Sequence, residues 1–370
     1  MRQEPYKVVV WGPGVLGTLL LHEIGKLPEL ELVGVLAYSD AKDGVDVGTY
    51  LGTEATGLTM TTDKEQIFAL PADCVLFCTQ ATAGADIGSE TTKDVCRLLA
   101  SGKNVVTAIG YHYPQFHGHE LLDMLEAACL AGGTSLHSTG VNPGLFNERF
   151  ATTLSAVCTR IDSVTVQEIG MSGTVDSIDM MRMVGWGQPP PPAPEIMEMA
   201  VRYYGESVTH ACELLGRSVE RVEPECDYVL ADRDYDVNGM TIAKDTMGCV
   251  IHKFTAIVEG RPFFRLEEYF IAVPELAPIP VPCSAHWTIT IEGEPTSISA
   301  SIDMQPSFAE HSPTAAPGDP PPAYYATGVP MIQAIPVVCA APTGIVYPSV
   351  FTRNVPDLRT LGSLPVNSDN

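Results

Sequence analysis

The 370-residue chain is short of positive charge: 21 Lys and Arg stand against 45 Asp and Glu, a formal net charge of −24. A nucleic-acid groove needs clustered Lys and Arg to displace counterions, and the sequence holds no such cluster. The same deficit counts against an anionic membrane surface as a partner. Phosphate recognition survives it, because backbone N–H groups at a helix N-terminus bind phosphate without side-chain charge. The ten cysteines contain no C-x-x-C pair. A chain this long, with 45% hydrophobic residues, builds its cores without cross-links, so reduced thiols and a cytoplasmic setting are expected. No uninterrupted apolar run is expected to reach membrane-spanning length; Ile271 to Pro282 is broken by four prolines. No signal segment is expected ahead of the first strand.

What the chain does have is concentrated at its start. Val8 to Val10 form the short β-branched run of a buried strand. Gly12, Gly14 and Gly17 follow in G-x-G-x-x-G spacing, and Thr18 to Leu27 then place Leu19, Leu20, Ile24 and Leu27 as helical apolar positions. Each glycine has a physical role, namely a tight turn, close approach of a pyrophosphate to bare backbone, and close packing of helix on strand. With the next strand at Leu32–Ala37, the unit predicts a dinucleotide site built on Gly12, Pro13, Gly14, Val15 and Leu16.

Strand and helix patterns alternate as far as Phe146, the signature of a doubly wound parallel sheet. Strands are expected at Val8–Trp11, Leu32–Ala37, Cys74–Cys78, Asn104–Ala108 and Thr134–His137, with helices at Val15–Lys26, Glu90–Ser101 and Glu120–Ala131. From Thr159 the texture becomes that of antiparallel strands: Ile161–Ile169, Tyr228–Val237, Met240–Ala243, Cys249–Glu259, Phe263–Val273, Ala285–Ile291 and Thr296–Met304. Asn238-Gly239 and Glu259-Gly260 supply turn pairs. Helices fit Glu195–Leu215 and Thr327–Ala341. The expected organisation is therefore a Rossmann-type α/β domain over 1–146 and an α+β domain with a large open mixed or antiparallel sheet over 147–323. A C-terminal helix and tail, 324–370, complete it.

Ligands of an open parallel sheet lie at the carboxyl ends of its strands. That rule adds Ser39 after the second strand, Thr79, Gln80 and Ala81 after the third, and Thr107, Ala108 and Ile109 at the end of the fourth. Asn142 precedes Pro143 and fits a helix N-cap with proline at the first helical position. NAD recognition usually places an acid at the end of the second strand. Here that strand closes Ala37-Tyr38-Ser39, and Ser39 with Lys42 suits a 2′-phosphate, so NADP is favoured over NAD. His112, His117, His119 and Glu120 cluster in sequence, but a polar loop leading into a helix is preferred to a zinc site, and no metal is expected. Cys78, Cys96 and Cys129 fall on apolar positions and read as small buried hydrophobes rather than nucleophiles.

The glycine loop, Thr79-Gln80, Gly140-Val141-Asn142-Pro143-Gly144, Gly185-Trp186-Gly187-Gln188-Pro189-Pro190, and the segment from Ala334-Ile335-Pro336 to Ala341-Pro342-Thr343-Gly344 together resemble the dihydrodipicolinate-reductase-like oxidoreductases. Within that group the likeness is to 2,4-diaminopentanoate dehydrogenase and the native amine dehydrogenases. The resemblance spans Val8 to about Val346. It implies a nicotinamide-binding Rossmann domain, a second domain whose open sheet forms a homodimer, and a C-terminal helix returning to the first domain. The chemistry implied is reversible hydride transfer to a C=N or C=O carbon, with the Asn142 turn near the nicotinamide. A nucleotide-sensing Rossmann protein without turnover, and a dihydrodipicolinate-reductase-type enzyme, are the alternatives.

Native amine dehydrogenases carry a glutamate just after the strand corresponding to Asn104–Ala108. Aligned on Tyr113-Pro114, this chain has Ile109-Gly110-Tyr111-His112 there, without a carboxylate. That departure shifts weight toward ketone or preformed imine reduction. The candidate catalytic groups are then His112, Tyr111 and Glu168, with Tyr113 and Asp176 as further options. A tyrosine in this loop also suits a hydrophobic wall. Glu168, two residues after Val166, suits a solvated sheet position. Met171, Met180, Met181, Met183, Trp186 and Tyr203 or Tyr204 are expected to line a pocket for a small hydrophobic ketone, aldehyde, imine or amine, with Gly185-Trp186-Gly187 at its edge.

Overall fold

A computed structural model describes residues 3–79, 86–171, 178–305 and 322–359. The chain divides into two compact units, Met1–Val141 with Tyr324–Tyr347, and Asn142–Ala323 with Pro348–Asn370. The first unit thus ends at Val141 where the sequence reading puts 146, and the segment from Pro348 groups with the second unit rather than the first.

In the first unit the strands are β1 (Tyr6–Trp11), β2 (Leu30–Leu36), β3 (Cys74–Phe77), β4 (Asn104–Thr107) and β5 (Ser135–Ser138). The second unit contributes β6 (Arg160–Met171), β7 (Arg221–Leu230), β8 (Tyr235–Val237), β9 (Met240–Ile242), β10 (Met247–Val258), β11 (Arg261–Ile271), β12 (Ala285–Glu294) and β13 (Ile298–Asp303). A last short strand, β14 (Gly344–Ile345), returns to the first unit and completes a parallel sheet of order β14-β5-β4-β3-β1-β2.

Alternation along β1 separates two cores. Val8 and Val10 face one side, where helix Val15–Ile24 supplies Leu19, Leu20 and Ile24 and helix Pro322–Ala340 supplies Met331, Ile335 and Val338. Val9 and Trp11 face the other, packed by Val95, Leu98 and Leu99 of helix Glu90–Ala100 and Leu121, Leu125 and Cys129 of helix His119–Gly132. Burial on both faces is what a parallel sheet demands. The Pro322–Ala340 helix corrects one expectation: by length and composition, with mean hydropathy 1.3, it is apolar enough to cross a membrane. One face of it, Met331, Ile332, Ile335 and Val338, instead packs into the first unit's core, with 33% of the apolar stretch buried.

The second unit is built on a mixed sheet of order β13-β12-β6-β11-β10-β7, in which β6 and β11 run parallel and the other neighbours antiparallel. Helix Pro194–Leu214 covers one face, with Tyr204 stacked on Phe254 at 5.2 Å between ring centroids. The two turn pairs read from the sequence have both residues left-handed: Asn238 at φ 50° with Gly239 at 78°, and Glu259 at 50° with Gly260 at 73°. Such turns match the right-handed twist of the strands they join. The expected strand Tyr228–Val237 is corrected to two elements, the end of β7 and the start of β8. β7 is an edge strand in which Arg221, Glu223, Glu225 and Asp227 alternate with Val222, Pro224, Cys226 and Tyr228, and the proline in mid-strand, tolerated only at an edge, masks the pattern.

Candidate active site

The three glycines after β1 are in different situations. Gly12 sits at φ +98°, and a Cβ there would lie 2.7 Å from the Cys78 carbonyl oxygen. A Cβ on Gly17 would lie 2.1 Å from the Gly12 carbonyl oxygen, so helix and strand pack backbone on backbone. At Gly14 a Cβ meets nothing within 4 Å. Gly12 and Gly17 are therefore required by the fold itself, whereas Gly14 faces open space. No side chain caps the N-terminus of helix Val15–Ile24, which leaves its first N–H groups, from Val15 and Leu16 onward, for an anion. The Lys42 ammonium steadies the loop by donating to the Pro13 carbonyl at 2.6 Å and the Tyr50 hydroxyl at 2.9 Å. Tyr50 in turn donates to Pro13 at 3.1 Å.

Around this loop stand the other residues expected to hold a dinucleotide. Ser39 is exposed at the end of β2. Thr107 ends β4 and Ala108 and Ile109 follow it; all three are buried, with the Ile109 N–H donating to Thr107 Oγ1 at 3.2 Å. Thr79 follows β3, while Gln80 and Ala81 lie outside the described residues, as does Asp176. Tyr111 is 1% exposed, adopts φ 60°, and shares a 2.8 Å hydrogen bond with Thr92 Oγ1 inside the first unit's core. Its ring packs with Trp11, Ile109 and Leu121 in that core. His112 is also buried.

The second unit holds a different kind of site. Glu168 of β6 lies directly opposite Glu268 of β11; next to them across the sheet are Trp287 of β12 and His252 of β10. Directly paired residues project to one face, so all four sit in one row. The Asn142 amide donates to Glu268 Oε1 at 3.2 Å. Trp287 is stacked on Phe146, rings 4.5 Å apart and 7° from parallel. Burial pushes Glu168 up to about 7, with an opposing pull from the Trp287 indole and the Asn142 amide. Glu268 is raised well above the usual carboxylate range by burial and by the charge of Glu168.

Close by, Glu148 is fully buried and raised to about 7 by desolvation, offset by Ser207 and by the Gly144 N–H, which donates to it at 2.8 Å. His210 Nδ1 lies 4.0 Å from its other oxygen. Glu206 is buried on the same helix as Ser207 and His210. A solvated position for Glu168 is thereby corrected: its Oε2 is sealed from solvent.

Asn142 also departs from expectation. Asn142, Pro143 and Gly144 all have non-helical backbone, so Asn142 caps nothing, and Glu148 does the capping at Gly144. Trp186, expected at a pocket edge, is 2% exposed and donates its indole N–H to the Phe270 carbonyl at 3.1 Å. It packs with Met181, while Met171 and Met180 border the same core. A cavity of about 630 Å³ opens beside Met171, lined by Ile279, Val281 and Cys283 among others. Glu268, His252 and Glu148 were not singled out from the sequence. The legible signal was a charged residue in phase with Phe264, Leu266 and Phe270, and a histidine in phase with Val250 and Phe254.

A parallel sheet carrying a glycine turn and an uncapped helix at the end of β1 defines the dinucleotide-binding class of α/β proteins. No family model matches the chain. Over 304 residues, 78% of this chain and 82% of the relative, it is 30% identical to an amine dehydrogenase of Streptomyces virginiae. The chain therefore belongs to the amine dehydrogenase family and is an oxidoreductase. Among solved structures, amine dehydrogenase from Mycobacterium smegmatis superposes with a TM-score of 0.72 at 21% identity, covering 95% of this chain and 98% of that one. GenD2 from gentamicin A biosynthesis, solved in complex with NAD, gives 0.51 at 14% identity, covering 92% and 88%. These two likenesses concern the fold.

Proposed function

We propose that the protein is an NADP-dependent oxidoreductase that interconverts small hydrophobic amines with the corresponding imines and ketones. The observation that carries this reading is the open Gly14 position beside an uncapped helix N-terminus, in a chain of the amine dehydrogenase family. Gly12 to Leu16 fit a pyrophosphate there. Ser39, exposed at the end of β2 with no acid in its place, and Lys42, with one N–H left after its bonds to Pro13 and Tyr50, favour a 2′-phosphate over a bare ribose diol. The bound nicotinamide supplies or accepts the hydride. In the reductive direction a ketone, ammonia, NADPH and one proton give the primary amine, NADP⁺ and water.

The sequence alone weakens the amine reading, because Ile109 stands where native amine dehydrogenases carry a glutamate. The buried carboxyls of the second unit restore an acid to the argument, since the reaction needs a group that takes up and returns a proton. A homodimer through the open face of the second sheet is part of the proposal.

The test is a panel of primary amines with NADP⁺ and NAD⁺, and of ketones with NADPH, each with and without ammonium. Amine-dependent formation of NADPH supports the reading. Tight NADPH binding without turnover on any member refutes it and leaves a nucleotide-sensing protein.

A further inference from the structure

Two carboxyl groups share the centre of a buried sheet face, and among the described residues no lysine or arginine forms an ion pair with either. Burying paired acids without a cation opposes folding, so such an arrangement calls for a reason beyond packing. The buried atoms left without a hydrogen bond around them supply one. They are the acceptors Glu168 Oε2, Asn142 Oδ1 and His252 Nδ1, together with one donor, the Trp287 indole Nε1 beside Glu168. Asn142 is 6% exposed, and its amide head is already at the pair through its bond to Glu268. His252 is 1% exposed; its Nε2 must carry the ring proton, because its partner at 3.1 Å is the Val184 carbonyl, which only accepts. Its Nδ1 is therefore a bare lone pair. Three of the four are acceptors, and the one donor can serve only one of them.

The aromatic surroundings fit the same conclusion. Trp287 flanks Glu168 in the row, and Tyr203 and Tyr204 of the covering helix meet edge to face at 5.0 Å. Tyr204 stacks on Phe254, two residues along β10 from His252 and on the same face, which sets the tyrosine pair beside the row. Faces of Trp and Tyr favour a cation and its alkyl substituents. A metal ion fits less well: among the described residues no group of three or more His, Cys, Asp or Glu side chains is arranged to hold one.

We propose that Glu168, Glu268 and Asn142 form the seat for the cationic nitrogen of a primary alkylammonium or iminium substrate. Its N–H groups satisfy the orphaned acceptors, and its charge replaces the cation the pair lacks. For the reaction this rests on the amine dehydrogenase reading above; the binding claim stands on the second unit alone. In the oxidative direction the alkylammonium gives one proton to a carboxylate of the pair. A bound nicotinamide would supply the hydride acceptor for the free amine, and the other carboxylate would hold the positive charge of the resulting iminium.

The test uses the full chain, with sec-butylammonium chloride as probe against potassium chloride at equal ionic strength and neutral butan-2-ol. The wild type should melt about 3–5 °C higher with the ammonium at roughly tenfold excess over its Kd, and be unmoved by the alcohol. Glu168→Gln and Glu268→Gln should each abolish that rise and increase KM for the amine by about tenfold or more, with NADPH affinity unchanged. Because a buried variant can misfold, Glu268→Met serves as the second probe. A ligand seat predicts a higher melting temperature without amine, since a costly carboxyl is gone; a structural pair predicts a lower one.

Turnover by the wild type with unchanged KM in both glutamine variants overturns the seat and leaves the proposed function standing. Ammonium-specific protection lost in those variants, in a protein that turns over no amine, supports the seat and overturns the function. Equal protection by butan-2-ol, or a lower melting temperature for Glu268→Met with unchanged amine KM, also overturns the seat.

Discussion

The glycine loop allows one substitution, Gly→Ala, to be made at two positions with opposite expected outcomes. At Gly17 the new methyl would sit 2.1 Å from the Gly12 carbonyl oxygen, more than 1 Å inside an ordinary contact. That oxygen belongs to backbone held by the Gly14 N–H at 2.9 Å, so it has little freedom to move. Helix Val15–Ile24 must lift from β1, disturbing Leu20 and Ile24 in the core. Overpacking of this kind costs about 1–3 kcal/mol, or roughly 2–12 °C in Tm for a domain of this size.

At Gly14 the same methyl meets nothing within 4 Å, and φ −84° is open to any residue. Gly14→Ala should hold its Tm within about 3 °C, because the gain from a stiffer unfolded chain and the loss of a preferred N-cap residue nearly cancel. Its NADPH Kd should nonetheless rise about tenfold or more, since the methyl occupies the approach of the pyrophosphate. Thermal melts and NADPH fluorescence titrations on both variants decide the matter. An unchanged Kd for Gly14→Ala refutes the placement of the cofactor. An unchanged Tm for Gly17→Ala refutes the packing argument.

Ser39→Asp should move the NADPH-to-NADH affinity ratio toward NADH by about tenfold, by placing a like charge beside the 2′-phosphate; an unchanged ratio in paired titrations places that phosphate elsewhere. Tyr111→Phe should cost about 1 kcal/mol of stability through loss of the Thr92 hydrogen bond and leave kcat within about twofold; a loss of a hundredfold or more would return Tyr111 to the catalytic groups. Glu148, raised by burial from 4.5 to about 7, contributes stability that is fully present below pH 4.5 and lost as pH rises through about 7, with a ceiling of roughly 3 kcal/mol. Glu148→Gln keeps an acceptor for the Gly144 N–H, so its Tm should fall less between pH 5 and pH 8 than that of the wild type, and parallel curves would refute the assignment.

Features set by contiguous residues were legible in the sequence, and features set by pairing across the sheet were not. The first strand, the glycine loop and the helix after it are neighbours along the chain, and the structure keeps all three, with the strand starting two residues earlier, at Tyr6, and the helix ending two residues sooner, at Ile24, than read. The turn at Asn142 escapes a local reading because its outcome depends on Glu148, which outcompetes Asn142 for the Gly144 N–H. Glu168 reads as an exposed strand residue because nothing near it in sequence shows that Glu268, on a strand 100 residues away, stands opposite in register. The clue was present as a conflict: Glu268 shares its phase with Phe264, Leu266 and Phe270, so a strand with a buried face must bury an acid too. A local rule broken in mid-strand, with no lysine or arginine to offset it, is where function is expected to outrank stability. The same reasoning separates the two glycine types in the first unit. Gly12 and Gly17 are accounted for by contacts within the chain, whereas Gly14 is not, and what the fold leaves unexplained is what a ligand has to explain.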